Sequence, residues 1–324
     1  MSFQINKKPF GKHALFQLID NDSQSSVWII PSCGAMLNNF QIKKDNVFID
    51  LINGYKSGDD LDENVSMNFK GVILSPFANR VNKASYDFNN SNYVLDKVWK
   101  DKDYAIHGYL YNQVFEVVSE VINDDEATLI LKNKYDGKMP GFPFSFDTTV
   151  VYTLHKNNQL SCETKIQNSS EQIMPLSFGW HPLFFNDVNI DDVELQFPAE
   201  YKIGVTEDFI PDGKKIAYNA FNSLRKIDDT FFDYCFKLRE GEGESESAMV
   251  AIIEPLNKIK IELHIETGLN KFRHLQIYIP PQRNTIALEP MTSWPDAFNN
   301  KNDLIVLQPE ETVAMSYEIK ISLL

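Results

Sequence analysis

Lys258-Ile259-Lys260-Ile261-Glu262-Leu263-His264-Ile265-Glu266 alternates polar and apolar side chains with a period of two. Successive side chains of a strand point to opposite faces, so this segment turns one face to a core and the other to water. Near the C-terminus Val313, Met315, Tyr317, Ile319, Ile321 and Leu323 repeat the pattern, and Leu160, Cys162, Thr164 and Ile166 do so earlier. Strands of this kind belong to antiparallel sheets. Further strands are predicted at 15–19, 27–30, 114–122, 128–132, 148–154, 193–197, 250–253, 274–279 and 285–288. No long stretch keeps a clean 3.6-residue period, so helices are expected to be few and short. Turn residues such as Asp136-Gly137, Asn157-Asn158 and Pro280-Pro281 separate the strands. The acidic segment Arg239–Ser247 reads as a hairpin tip, because strands resume on both sides. There is no internal repeat. The predicted fold class is all-β, a large antiparallel β-sandwich.

The chain has 324 residues, 43% hydrophobic and 23% charged, which excludes disorder along its whole length. Length alone suggests about two domains at roughly 150 residues each. The strand pattern argues instead for one domain over residues 1–324, since candidate site residues come from both halves of the chain. A net charge of −14, with basic runs no longer than pairs such as Lys43-Lys44, excludes a nucleic-acid partner. No apolar run approaches the ~18–20 residues of a membrane helix, and the first ten residues lack the apolar core of a secretory signal. Cys33, Cys162 and Cys235 are far apart and form no CxxC, as expected of reduced thiols in a cytoplasmic protein. Aromatics at 12% suit either a sheet core or a sugar-binding surface.

Phosphate-loop, zinc and nucleophile-elbow motifs are absent, so no cofactor and no metal is expected. What remains is polar residues in apolar settings. Ser75-Pro76-Phe77-Ala78-Asn79-Arg80-Val81 offers a guanidinium that would fork onto two hydroxyls or a carboxylate, or that is simply ion-paired. In Ala105-Ile106-His107-Gly108-Tyr109 the glycine lets the backbone approach a ligand, although loop histidines are common. Ser177-Phe178-Gly179-Trp180-His181-Pro182-Leu183-Phe184-Phe185 sets an imidazole among aromatics. His181 there suits proton transfer near neutral pH, and Trp180 suits stacking on a sugar; a core histidine is the competing reading. Asp233 stands alone in the aromatic run Phe231–Phe236 and needs partners, either structural or ligand hydroxyls. Glu289 follows the short apolar strand 285–288, which Pro290 is expected to end. A carboxylate held there would have a raised pKa and could act as a general base, unless it is merely exposed. Asp296 reads as a cap after Pro295. His13, His155, His264 and His274 read as structural.

Taken in order, Pro-Phe-Ala-Asn-Arg (76–80), His-Gly (107–108), Phe-Gly-Trp-His-Pro (178–182), Asp233 and Leu-Glu-Pro-Met-Thr-x-x-Pro-Asp-Ala (288–297) resemble the aldose 1-epimerase, or galactose mutarotase, family. The resemblance runs from about Cys33 to the C-terminus. It implies a galactose mutarotase-like sandwich, a sugar cleft on one sheet and no cofactor. By the same resemblance His181 would be the general acid and Glu289 the general base, with Arg80, His107 and Asp233 holding sugar hydroxyls beside Asn79 and Trp180. Two positions depart from the family pattern: Ala84 replaces a usual Gly, and Leu183 replaces the aromatic that usually follows His-Pro.

The implied activity is interconversion of the α and β anomers of a free aldohexose. A base removes the anomeric proton while an acid protonates the ring oxygen, with His181 cationic and Glu289 ionised at the start. The alternatives are a sugar-binding protein without turnover and a hexose-6-phosphate epimerase. Arg225, Lys226 or Arg273 would supply the phosphate contacts of the latter. A glycoside hydrolase has less support, because only one carboxylate is persuasively placed.

Overall fold

A computed structural model describes residues 2–240 and 247–324. The centre of the predicted acidic tip, 241–246, lies outside the described residues. The chain is strand-rich and its sheets are antiparallel. One sheet of nine strands runs, in spatial order, Glu116–Ile122, Glu126–Tyr135, Phe146–His155, Gln159–Asn168, Thr312–Leu323, Ile259–Glu266, Ser247–Glu254, Glu194–Gln196 and Arg225–Lys226. A second sheet of eight runs Pro211–Ala217, Ala199–Val205, Asp233–Leu238, His274–Tyr278, Ile286–Met291, Gly179–Trp180 and Ile73–Leu74, with Leu183–Phe184 also paired to Ile286–Met291. Five N-terminal strands between Phe3 and Asp50 form a third, consecutive sheet.

The alternating segments behave as their pattern demands. Ile259, Ile261, Leu263 and Ile265 are buried, and their polar neighbours are not. In the C-terminal strand burial ends at Ile321, and Leu323 is exposed. The two large sheets pack face to face through these apolar rows, and Trp180 of one stacks on Tyr317 of the other at 3.9 Å. All the predicted strands are present with shifted ends. The strand expected at 285–288 runs on to Met291 through Pro290. Proline lacks an N–H, so opposite Trp180 one ladder bond is missing between the Leu288–Pro182 and Thr292–Phe178 bonds that flank it.

Helices are short, as expected. Gly58–Asn68 has 11 residues, and Ser57 caps it by accepting a bond from the Asp60 amide. Its C-terminal end delivers the buried Phe69 to the wall of a cleft. All three cysteines are buried and unbridged. No helix among the described residues is long and apolar enough to cross a membrane.

Candidate active site

Strand register builds the centre of the site. Gly179 pairs with Met291 and Leu183 with Ala287, which sets His181 opposite Glu289. On its other side Glu289 pairs with Gln276. Gln276, Glu289 and His181 therefore form a row across one sheet face. One pleat along, Asp233 pairs with Tyr278 and Tyr278 with Ala287, giving a parallel row that ends at Leu183. These rows line a cleft of about 660 Å³. His181 Nε2 stands 3.4 Å from Glu289 Oε1, and both side chains are almost wholly buried.

A small ribbon brings the remaining groups. Arg80–Asn82 pairs with Tyr104–Ile106, so Ile106 faces Arg80 and the next residue, His107, reaches the cleft. The His107 ring meets His181 edge-on at 5.2 Å and packs on Phe69 at 4.7 Å. Gly108 is required here, but for another reason than a ligand: a Cβ would stand 2.1 Å from the Ser75 carbonyl. Arg80 lies between the Tyr104 and Phe209 rings, bonds Asn79 Oδ1 at 3.2 Å and sits 3.7 Å from Asp233 Oδ2. Gln276 donates to the other Asp233 oxygen at 2.8 Å. Ala84, where the family pattern has Gly, still adopts the left-handed conformation, at φ 48°.

Burial dominates the electrostatics. It lowers His181 to about 4 and holds His107 well below the usual histidine range, where His181 and Arg80 push it further. It raises Glu289 well above the ordinary carboxylate range; the Asp233 charge adds to this and Arg80 opposes it. Asp233 is also raised by burial, against Arg80 and Gln276. The expected starting state, cationic His181 beside ionised Glu289, is thus disfavoured before substrate enters. The neutral pair, imidazole and carboxylic acid, carries the same number of protons without separated charge in a dry site. His181 Nδ1, Glu289 Oε2, His107 Nδ1 and Arg80 Nε are buried without a partner among the described residues. His107, His181 and Glu289 also bring donor atoms within 4.8 Å of one another, a set able to hold a metal ion.

Asn79, Arg80, His107, His181, Asp233 and Glu289 converge on this cleft. Trp180 does not. It is fully buried against Tyr317, because neighbouring residues of a strand face opposite ways and His181 takes the cleft side. Arg225 and Lys226 lie exposed on an edge strand, where Lys226 pairs with Asp192. Arg273 is held by Glu240 and Asp303, away from the cleft. None of the three can serve a phosphate beside His181. Asp296 precedes the turn Ala297–Asn300 but ties down the Asn82 amide instead of capping that helix with its side chain. Sequence reasoning missed Gln276, Tyr278 and Phe69. The alternation of 274–279 alone would have put Gln276 and Tyr278 on one face.

An aldose 1-epimerase family model matches residues 17–320. The chain belongs to the aldose 1-epimerase family. Members are isomerases, and a curated relative, the aldose 1-epimerase of Streptococcus thermophilus, is 24% identical over 319 residues, 88% of each chain. An uncharacterized protein of Escherichia coli, YihR, is 27% identical over 253 residues, 76% of this chain and 77% of the relative. Among solved structures, a galactose mutarotase-like protein of Clostridium acetobutylicum superposes with a TM-score of 0.83 at 16% identity, covering 100% of this chain and 99% of the other. Galactose 1-epimerase of Lactobacillus acidophilus gives 0.79 at 18% identity, covering 99% and 98%. This epimerase-family chain therefore has the galactose mutarotase-like fold expected of it.

Proposed function

We propose that the protein is an aldose 1-epimerase that opens and recloses the ring of an aldohexose whose anomeric hydroxyl is free. The observation that carries this reading is the cross-strand placement of His181 and Glu289, 3.4 Å apart and buried in one cleft. Sugar hydroxyls entering the cleft hydrogen-bond to the carboxylate and favour its charged form. The Glu289 proton then passes to His181, a transfer within the pair that leaves the net charge unchanged. Ionised Glu289 removes the anomeric O–H proton while His181 protonates the ring oxygen. The C1–O5 bond breaks and C1 becomes an aldehyde. Rotation about C1–C2 exposes the other carbonyl face, and the reverse transfers reclose the ring. Each positioned proton transfer contributes about 10²–10⁴-fold.

Arg80, His107 and Asp233 hold the sugar hydroxyls in this scheme, with Gln276 and Asn79 orienting Asp233 and Arg80. Residues 1–324 act as one domain, a reading supported by site residues that span 79 to 289 on adjoining strands. Polarimetry of freshly dissolved α-glucose and α-galactose tests the activity. Equilibration no faster than in buffer, across a panel of aldoses, overturns it.

A further inference from the structure

The cleft continues past the His181 strand, on the side away from Asp233. There Lys70 follows Phe69 off the end of the Gly58–Asn68 helix. It is half-buried, its Nζ donates to Asn53 Oδ1 at 3.0 Å, and it stands 5.4 Å from the centre of the Tyr55 ring. Among the described residues no carboxylate comes within ion-pair distance. Asp60 and Asp187 act on it only through space, and Lys56 opposes them. The helix C-terminus does not claim the ammonium either, since its bond goes to the Asn53 side chain. A cation held part-way out of water without a counter-ion costs stability, and the arrival of an anion removes that cost.

Backbone bonds fix where this cation stands relative to the chemistry. The Gly71 amide donates to the His181 carbonyl and the Asn53 amide to the Leu183 carbonyl, each at 2.8 Å. Lys70 and Asn53 thus flank the segment 181–183. If His181 protonates the ring oxygen, the far neighbour of that oxygen is C5, which carries C6. A group on C6 is then displayed beyond His181, away from Glu289, on the side where Lys70 stands. Leu183, which lines the same side, is smaller than the aromatic ring of the family pattern.

We infer that Lys70 and Asn53 form a subsite for an anionic group on C6 of the aldohexose, an inference that rests on the acid–base reading above. The shared ligand chemistry is a carboxylate, phosphate or sulfonate at that carbon. Exchange NMR on the whole protein measures anomer interconversion for glucose, glucuronate, glucose 6-phosphate and the 6-sulfonate in parallel. At least one charged sugar is expected to show a kcat/KM at least about tenfold above glucose, the contribution of one charge-assisted hydrogen bond. Which one it is identifies the anion. Lys70→Met is expected to bring the charged-to-neutral ratio to about one, mainly by raising KM for the charged sugar, and Lys70→Arg to retain the preference. Acceleration of glucose with no preference for any charged sugar overturns the subsite and leaves the acid–base reading standing. Equal losses for charged and neutral sugars in Lys70→Met also overturn it. Acceleration of no sugar at all overturns both.

Discussion

Two histidine–carboxylate pairs share buried imidazoles, but their carboxylates are shifted in opposite directions. His181 and Glu289 lie 3.4 Å apart in the cleft; His274 and Asp303 lie 2.8 Å apart beside it. Burial lowers both histidines to about 4. The carboxylates diverge. Asp303 is lowered, because His274, Arg273 and Lys237 outweigh its partial burial, and Arg273 bonds it at 2.5 Å. Glu289 is raised, with one oxygen buried and unpartnered and a second carboxylate, Asp233, nearby. On the acid–base reading proposed above, the satisfied carboxylate is a fixture and the unsatisfied one a proton carrier awaiting hydroxyls. The two rings are buried alike, so what separates the pairs is the carboxylate: Glu289 is wholly buried with one oxygen unpartnered among the described residues, whereas Asp303 is partly exposed and held by Arg273.

The largest effect expected from this contrast is on turnover. Glu289→Gln keeps size and hydrogen-bonding capacity but removes the labile proton, and kcat is expected to fall by about 10²–10⁴-fold. Thermal stability should hold or rise, since a strained buried carboxyl is removed. Polarimetry paired with a melting curve checks both parts. An active Glu289→Gln would assign the base elsewhere.

Next comes the pH profile of kcat/KM, which reports the free enzyme. On the proposed acid–base reading the pair carries one transferable proton. As pH falls through about 4 His181 takes a second, no carboxylate form remains available, and the rate is expected to drop about tenfold per unit. The alkaline limb should lie well above the ordinary carboxylate range, where the pair gives up its proton. Stability moves in the same acid window. In the unfolded chain His274 protonates near 6.5, whereas in the fold it stays neutral to about 4; the proton that unfolded His181 gains is matched by the one that folded Glu289 keeps, so that pair cancels over this window. Denaturant midpoints are therefore expected to decline as pH falls from about 6.5 to 4. A decline that is no shallower in His274→Gln would contradict the neutral assignment of that ring.

Asp303→Asn is the converse of the cleft substitution. It leaves Arg273 with Glu240 as its remaining counter-charge and weakens the partner of the neutral His274 ring, in a partly exposed setting, for an expected loss of about 1–3 kcal/mol of stability. Because Asp303 lies outside the row Gln276, Glu289 and His181, kcat should change by less than about threefold. Urea titration and polarimetry on the same preparation separate these outcomes.

The sheets were legible in the sequence because burial on one face writes a period of two into residues such as 258–266. The site was legible in part for the same reason. Motif order picked out His181 and Glu289, but not the register that sets them face to face, which depends on pairing between strands about a hundred residues apart. Gln276 carried a signal that was not used, since it shares a face with Tyr278. The Gly58–Asn68 helix buries only Gly58, Leu61 and Val65, too few apolar positions to give a helical period. Its start was visible only as Ser57 three residues before Asp60. The error at Trp180 came from reading adjacency in sequence as adjacency in space, which a strand forbids.

Trp180 supplies the smallest and most discriminating expectation. Its ring stacks on Tyr317 at 3.9 Å and 14°, while its indole N–H is buried without a partner among the described residues. Trp180→Phe gives up part of the stacking, about 0.5–1.5 kcal/mol, and some filled volume. It also removes an unsatisfied donor, which offsets a loss of similar size. Net stability is expected to change by only about 1 kcal/mol. The sugar KM should stay within about twofold, because the ring faces the sheet interface and not the cleft. A tenfold rise in KM with an unchanged melting temperature would put the indole on the sugar. It would also mean that the strand alternation separating Trp180 from His181 is broken in the working enzyme.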